Sequence, residues 1–327
     1  MKVLITGATG FVGLHLVSFL TQKGIKVRAL VRSKNKAVRT LPRHVEIAVG
    51  DITRPETLNG VESGITHVIH LAAEGHVSAT SDEAYARFTE ANVRGTLNIM
   101  NAFKGKLIKS FVHVSSTAAM GLVCKEGPVD ETDQPRPVTP YQKSKLESET
   151  AALTSSLELG IPVVILRPCM IYGVGGKGEF YKIASLFRRG LFPRVGVGRN
   201  LTPLVHVADV VQAIYKAMFK GDAGEVYLIA SERSIEMEEL GRIINNAWNV
   251  RKPFLFVPIW LMYSIATTFE ILGLLTNSAP IATRQNILNT VKDREFDISK
   301  AKSDFGYKPK VDLHDGILDT INWYRDN

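Results

Sequence analysis

The residues best suited to chemistry lie in Tyr141-Gln142-Lys143-Ser144-Lys145. Tyr141 and Lys145 stand at i and i+4, so a helix puts both on one face, one turn apart. An ammonium beside a phenol favours the phenolate and draws the tyrosine pKa down from about 10 towards working pH. Tyr141 then becomes a usable general acid and base for proton transfer at a hydroxyl or carbonyl oxygen. Val114-Ser115-Ser116-Thr117 ends an apolar run and offers hydroxyls for the same oxygen. Taken alone, a tyrosine and lysine at this spacing also describe an exposed helix pair.

A second group of residues suits an anion. Thr6-Gly7-Ala8-Thr9-Gly10-Phe11-Val12-Gly13 spaces three glycines evenly between an apolar run and a helical pattern. Glycine allows φ > 0, lets a pyrophosphate approach the backbone, and opens a helix whose N-terminus attracts negative charge. The expectation is a dinucleotide site. The second strand runs into Arg32-Ser33-Lys34 without an acid, so Arg32 stands where a ribose 2′-phosphate belongs. That favours NADP over NAD, with NAD still open. Asp51, after the third strand, is a candidate acceptor for the adenine amino group, or simply a turn cap.

These groups need a scaffold. Strands are expected at Lys2–Thr6, Lys26–Val31, His44–Val49, His67–Ala72, Ser110–Ser115 and Val163–Leu166. Helices are expected at Phe11–Lys23, Glu83–Phe103 and Tyr141–Leu159. Apolar strands alternating with helices predict an α/β, doubly wound parallel sheet, with ligands at the carboxyl ends of its strands. Residues 1–173 form this dinucleotide-binding part, and elements near 202–231 return to it. Residues 174–327 are mainly a smaller substrate-binding part. It holds a glycine loop at 173–178, helices at Phe180–Arg189, Val210–Phe219 and Met237–Trp248, and strands at Val205–Val207 and Glu225–Ile229. An apolar helix at 258–275 precedes a polar tail.

Composition sets the bounds. The chain has 327 residues, 45% hydrophobic and 22% charged, an ordinary globular balance that excludes disorder and low complexity. Forty basic against 32 acidic residues leave +8, which favours anionic ligands. Basic stretches at 32–36 and 188–189 lack interleaved aromatics, so no nucleic acid is expected. Cys124 and Cys169 are too few for a disulfide framework, and the histidines, His67, His70 and His76 among them, have no zinc spacing. No metal is therefore expected, and a cytoplasmic location fits. The uncharged segment beginning at Pro253 reads as a buried or substrate-covering helix before a peripheral membrane contact through 254–275, and least as a membrane span.

In combination the chain resembles the extended short-chain dehydrogenase/reductase superfamily, which includes the NAD-dependent epimerase/dehydratase group. The resemblance rests on Thr6–Gly13, Asp51-Ile52, His70–Ala73, Asn92 with Gly95-Thr96, Ser115-Ser116, Tyr141 and Lys145. It extends to Arg167-Pro168, Tyr172-Gly173 and His206-Val207 with Asp209. It implies hydride transfer at a secondary alcohol or ketone: Tyr141 shuttles the proton, Lys145 holds the nicotinamide ribose, and Ser116 hydrogen-bonds the substrate oxygen. It also implies cofactor contacts. These come from Gly7, Thr9, Gly10, Phe11, Val12 and Gly13, from Arg32, Asp51 and Ile52, from Leu71, Ala72, Ala73 and Asn92, and from Ser115, Pro168 and Ile171.

Three departures narrow the substrate. Sugar-nucleotide dehydratases carry an Asp-Glu pair after the catalytic hydroxyl, where this chain has Thr117 and Ala118. Epimerases tend to have an asparagine at Met170 and an arginine at Thr202, with Arg194 or Arg199 left to compensate. The remaining pattern looks like the 3β-hydroxysteroid dehydrogenase and dihydroflavonol reductase branches. A hydrophobic or bulky keto/hydroxy small molecule is thus expected, in a homodimer typical of the superfamily. A nucleotide-sugar 4-epimerase with tightly bound NAD is the alternative, and a non-catalytic NADP-sensing regulator is the second.

Overall fold

Val3, Leu4 and Ile5 in the first strand are fully buried, as a strand covered on both faces must be. The computed structural model describes residues 1–75, 81–123, 125–195, 200–250, 255–276, 284 and 292–327. Its central sheet contains β1 (Lys2–Thr6), β2 (Lys26–Val31), β3 (Glu46–Val49), β4 (His67–His70), β5 (Ser110–Val114), β6 (Val163–Pro168) and, later in the chain, Val226–Ile229. All pairings are parallel, and the order is Val226–Ile229, β6, β5, β4, β1, β2, β3. The chain steps outward from β1 to β3 and then restarts at β4 on the other side. That reversal opens a crevice at the carboxyl edge between β1 and β4. This is the expected doubly wound architecture.

Alternation along the strands feeds two layers. Val3 and Ile5 pack with α1 (Phe11–Gln22) and α7 (Val207–Lys220), through Leu16, Leu20, Val210 and Ile214. Leu4 joins Ile99, Met100, Phe103 and Ala152 on the opposite face. Those residues come from α4 (Gly95–Ala102), α5 (Pro140–Leu159) and their flanks. A short α2 (Lys34–Thr40) follows β2, with the Ser33 hydroxyl capping it.

Beyond β6 the chain makes β7 (Met170–Tyr172), α6 (Glu179–Arg189), β8 (Pro193–Val195), β9 (Leu201–Thr202) and β10 (Leu204–His206). After α7 come β11 (Val226–Ile229), β12 (Ile235–Glu236), α8 (Met237–Ala247), β13 (Leu255–Val257), α9 (Ile259–Thr276), α10 (Ser299–Phe305) and α11 (Leu313–Asp326). β11 returns to the main sheet beside β6, while β10 pairs with β7, β9 with β12, and β8 with β13. A separate core joins Phe180 and Phe187 of α6, Leu240 and Ile244 of α8, and Leu313, Ile317 and Ile321 of α11.

Several expectations need correction. The helix expected at Glu83–Phe103 is α3 (Asp82–Phe88), a π turn at Thr89–Arg94, and α4. Val207 opens α7 instead of ending a strand, because the His206 side chain caps that helix. The polar tail folds: α11 buries Leu313, Ile317, Ile321 and Tyr324 along one face. The apolar helix α9 is not buried. Trp260 is 69% exposed and Leu275 78%, and Ala266 alone among its described side chains is fully covered. Among the described residues, no helix is long and apolar enough to cross a membrane. His76, Cys124, Arg199 and residue 254 lie outside the described residues.

Candidate active site

The catalytic helix begins where its sequence says it must. The Thr139 hydroxyl accepts from the Gln142 N–H at 3.3 Å, the Gln142 side chain accepts from the Thr139 N–H at 3.1 Å, and Pro140 takes the first helical position. This capping box fixes Tyr141 in the first turn of α5, at the carboxyl edge of the sheet. Tyr141, Lys145 and Glu149 then follow at four-residue intervals on the face towards the sheet. Lys145 Nζ donates to the Val114 carbonyl at 3.3 Å. Glu149 is paired with Arg167 at the end of β6: Arg167 Nε lies 3.1 Å from both carboxylate oxygens and Nη2 lies 2.6 Å from Oε2.

The Tyr141 hydroxyl meets the Ser116 side chain, and Phe88 packs edge-on to its ring with centroids 5.8 Å apart. Burial, reinforced by the Glu179 carboxylate, pushes the phenol up to about 12, and the Ser116 hydrogen bond opposes this only in part. The expectation that Lys145 draws the phenol down is corrected here. Lys145 is itself buried, and burial pushes its ammonium down to about 8 despite the charge of Glu149. Both groups resist their charged forms, because desolvation outweighs the neighbouring charges.

The glycine turn joins β1 to α1 as expected. Gly7 sits at φ +68°, and a Cβ there would lie 2.8 Å from Ala72 N. A Cβ on Gly13 would lie 2.3 Å from the Gly7 carbonyl oxygen, so the helix can pass this close only without a side chain. Gly10 caps α1 without a side-chain hydrogen bond, and no acid occupies the first turn. Thr9, Gly10, Phe11 and Val12 therefore present a helix N-terminus with no acid in its own first turn, which fits a dinucleotide pyrophosphate. A glycine loop covers this end. His15 Nε2 donates to the Val174 carbonyl at 2.8 Å, Phe11 lies against Gly176, and the Tyr324 hydroxyl donates to the Gly176 carbonyl at 2.6 Å.

A chain of buried hydrogen bonds runs from this turn towards α5. The Ala72 N–H donates to the Thr6 hydroxyl at 3.1 Å, and Thr6 meets His70 Nδ1 at 2.8 Å. His70 Nε2 meets the Thr96 hydroxyl at 3.1 Å, and Thr96 donates to the Asn92 carbonyl at 2.6 Å. The Thr96 proton is committed to a carbonyl, so His70 must donate through Nε2 and accept through Nδ1. Burial, with the charge of Lys145, holds His70 down to about 3, and the ring stays neutral. The Asn92 side chain accepts from the Glu74 N–H at 2.7 Å and donates to the Ser144 hydroxyl at 3.0 Å. Its amide thus ties the segment after β4 to α5 through Glu74, just past Leu71, Ala72 and Ala73, and the π turn carries it.

The other expected cofactor residues line the same edge. Arg32 is exposed after β2. Asp51 Oδ1 accepts from the Thr53 N–H at 3.0 Å and from its hydroxyl at 2.9 Å, which caps the turn. Burial opposes ionisation of Asp51, but Thr53, Arg32 and Arg54 together hold its carboxyl below the usual range. Ile52 packs against Gly95, and its carbonyl accepts from Asn98 at 2.8 Å.

A cavity of about 310 Å³ opens beside Tyr141. It brings together Ser115, Ser116, Tyr141, Pro168 and Ile171 of the expected site, while Lys145 is buried and does not line it. It also holds Glu179 and Arg294, which sequence reasoning missed. Glu179 stands at the first turn of a helix whose start was expected one residue later. Arg294 lies in a stretch with no motif to mark it.

Residues 3–230 match the family described as the NAD dependent epimerase/dehydratase family. The chain is 27% identical over 321 residues to 4-hydroxy-2-methyl-3-oxo-4-farnesyl-3,4-dihydroquinoline-1-oxide ketoreductase of Stigmatella aurantiaca, covering 97% of this chain and 95% of that one. Its fold superimposes with a TM-score of 0.81 on a UDP-glucose 4-epimerase of Thermotoga maritima solved with UDP-glucose, at 26% identity, covering 100% of this chain and 99% of the other. A dTDP-glucose 4,6-dehydratase of Streptomyces venezuelae, solved with NAD bound, gives 0.80 at 25% identity, covering 100% and 98%. The parallel sheet, the glycine turn and the paired Tyr141 and Ser116 agree with that match, and the chain belongs to the NAD-dependent epimerase/dehydratase family, as an oxidoreductase of the extended short-chain dehydrogenase/reductase type.

Proposed function

We propose that the chain is an NADP(H)-preferring oxidoreductase that interconverts a secondary alcohol and a ketone on a hydrophobic or bulky substrate. One observation carries this reading: the hydrogen-bonded Tyr141 and Ser116 face a cavity whose walls combine Ala118, Pro168, Met170, Ile171 and Pro203 with Thr117, Gln142, Glu179 and Arg294. The apolar walls favour an apolar substrate body, at about 25 cal/mol per Å² buried. Thr117 and Ala118 line the cavity where dehydration would need a pair of acids. The full-length similarity to a ketoreductase supports the same direction.

The chain's own groups divide the work. The turn Gly7–Gly13 holds a pyrophosphate, Arg32 is placed for a 2′-phosphate, and Ser115, Pro168 and Ile171 flank the reacting ring. A bound nicotinamide dinucleotide supplies or accepts the hydride. A phenol held at about 12 stays protonated near neutral pH, so Tyr141 is ready to donate to the substrate oxygen during reduction. Ser116 holds that oxygen in line, and Lys145, one turn further on the same helix face, carries the compensating positive charge.

The test is to identify the nucleotide released on denaturing the purified protein, then to titrate NADPH and NADH into stripped wild type and Arg32→Ala. The expected result is a dissociable cofactor and an NADPH affinity that falls about tenfold in the variant while NADH binding holds. Equal losses would remove the 2′-phosphate argument. Stoichiometric NAD retained through purification would replace the reductase with a 4-epimerase that recycles its cofactor.

A further inference from the structure

Arg294 is the one cation lining a cavity of mixed polar and apolar walls, with Glu179 as its one acid among the described residues. Its backbone is pinned at both ends: the N–H donates to the Leu201 carbonyl at 3.0 Å, and the carbonyl accepts from the Ser234 hydroxyl at 3.0 Å. Its side chain lines the same cavity as Tyr141 and Ser116. Nε is sealed from solvent without a hydrogen-bond partner, and Arg294 joins no ion pair among the described residues. Burial works against its charge, and the Glu179 carboxylate in the same cavity offsets this only in part. Arg294 is half-buried, and a guanidinium with one sealed, unpartnered nitrogen and a charge only partly offset is costly unless a ligand supplies the rest of the anion.

We propose that Arg294 anchors an anionic group of the substrate, and that the substrate is a keto or hydroxy acid whose carboxylate pairs with the guanidinium while its carbonyl or hydroxyl oxygen meets Tyr141 and Ser116. This rests on the oxidoreductase reading above and adds the substrate class. The planar guanidinium suits a carboxylate bidentately. Both ends share one cavity of about 310 Å³, so acid and reacting carbon are only a few bonds apart. Cys169 offers no competing charge, because burial pushes its thiol far up.

The test compares 3-hydroxydodecanoate with its methyl ester as alcohols for the NADP-loaded enzyme, in wild type, Arg294→Met and Arg294→Lys. Wild type should prefer the acid by about tenfold or more in kcat/KM. Arg294→Met should abolish that preference through KM, with NADP affinity and thermal midpoint held, and Arg294→Lys should restore part of it. Equal use of acid and ester by wild type, or equal losses on both in Arg294→Met, would overturn the proposal. If neither alcohol turns over, the reductase reading fails for aliphatic alcohols, and binding decides the anion site separately. Dodecanoate binding more tightly than dodecanamide in wild type but not in Arg294→Met sustains it, and equal binding sinks it.

Discussion

The layer beneath α5 and the cavity in front of it are both polar, yet they treat their polar groups in opposite ways. Beneath the helix, Arg167 spreads its bonds over Glu149 and Met120, and Thr6, His70, Thr96, Asn92 and Ser144 hand hydrogen bonds along in one direction. His113 Nδ1, Ser110 Oγ and Thr89 Oγ1 are exceptions around that layer. In the cavity, Ser115 Oγ and Arg294 Nε are buried without partners. Paired groups fix a shape, and their energy is spent inside the protein. Unpaired groups keep their bonding capacity for a ligand. Substitutions in the first region should therefore appear as lost stability, and in the second as lost turnover.

Three variants test that division. Tyr141→Phe carries the largest expected effect. Turnover should fall about a thousandfold or more, with cofactor affinity and thermal midpoint nearly unchanged, read by steady-state assay and titration. Turnover near that of wild type would break the comparison at its centre. Arg167→Met comes next. It leaves the Glu149 carboxylate buried and unpaired, and should cost about 3 kcal/mol of unfolding free energy in denaturant melts. The folded fraction should still bind cofactor, and a loss of turnover without loss of stability would put Arg167 on the wrong side of the division.

The third effect is smaller and depends on pH. His70 stays neutral in the fold down to about 3, whereas the unfolded imidazole takes up its proton near 6.5. The unfolded state then binds more protons between those values, so stability falls as pH drops through that window. The slope is about 1.4 kcal/mol per pH unit for this group. His70→Gln should flatten the acid limb of stability against pH, measured by thermal melts from pH 7 to 4. An unchanged limb would assign the acid sensitivity to other groups, His113 first, since burial lowers it as well.

What could be read from the sequence was whatever local pattern decides. The glycine turn, the parallel strands and the Tyr141 and Lys145 pair each need only a few neighbouring residues, so their spacing carries the signal. The bounds of α9 followed from its apolar run, but its exposure did not, because burial depends on what the rest of the chain leaves uncovered. α11 was legible in principle: Leu313, Ile317, Ile321 and Tyr324 keep helical spacing, hidden by the polar residues between them. Arg294 had no such signature. It reaches the cavity because β9 and Ser234 hold its backbone there, contacts that join distant parts of the chain. The tyrosine pKa was misjudged for a related reason, since helix spacing shows which charges are near but not how much water is lost.

The bond from Tyr324 to the Gly176 carbonyl gives the site an order of construction. A ribosome delivers the glycine turn at residues 6–13 well before the helix bearing Tyr324. Early segments of a growing chain begin to fold before later ones exist. The sheet and phosphate turn can assemble while the loop over them still lacks its outer clasp. The clasp closes only when Leu313–Asp326 arrives, so a chain cut short before that helix would keep a recognisable nucleotide fold and lose its grip on the nucleotide.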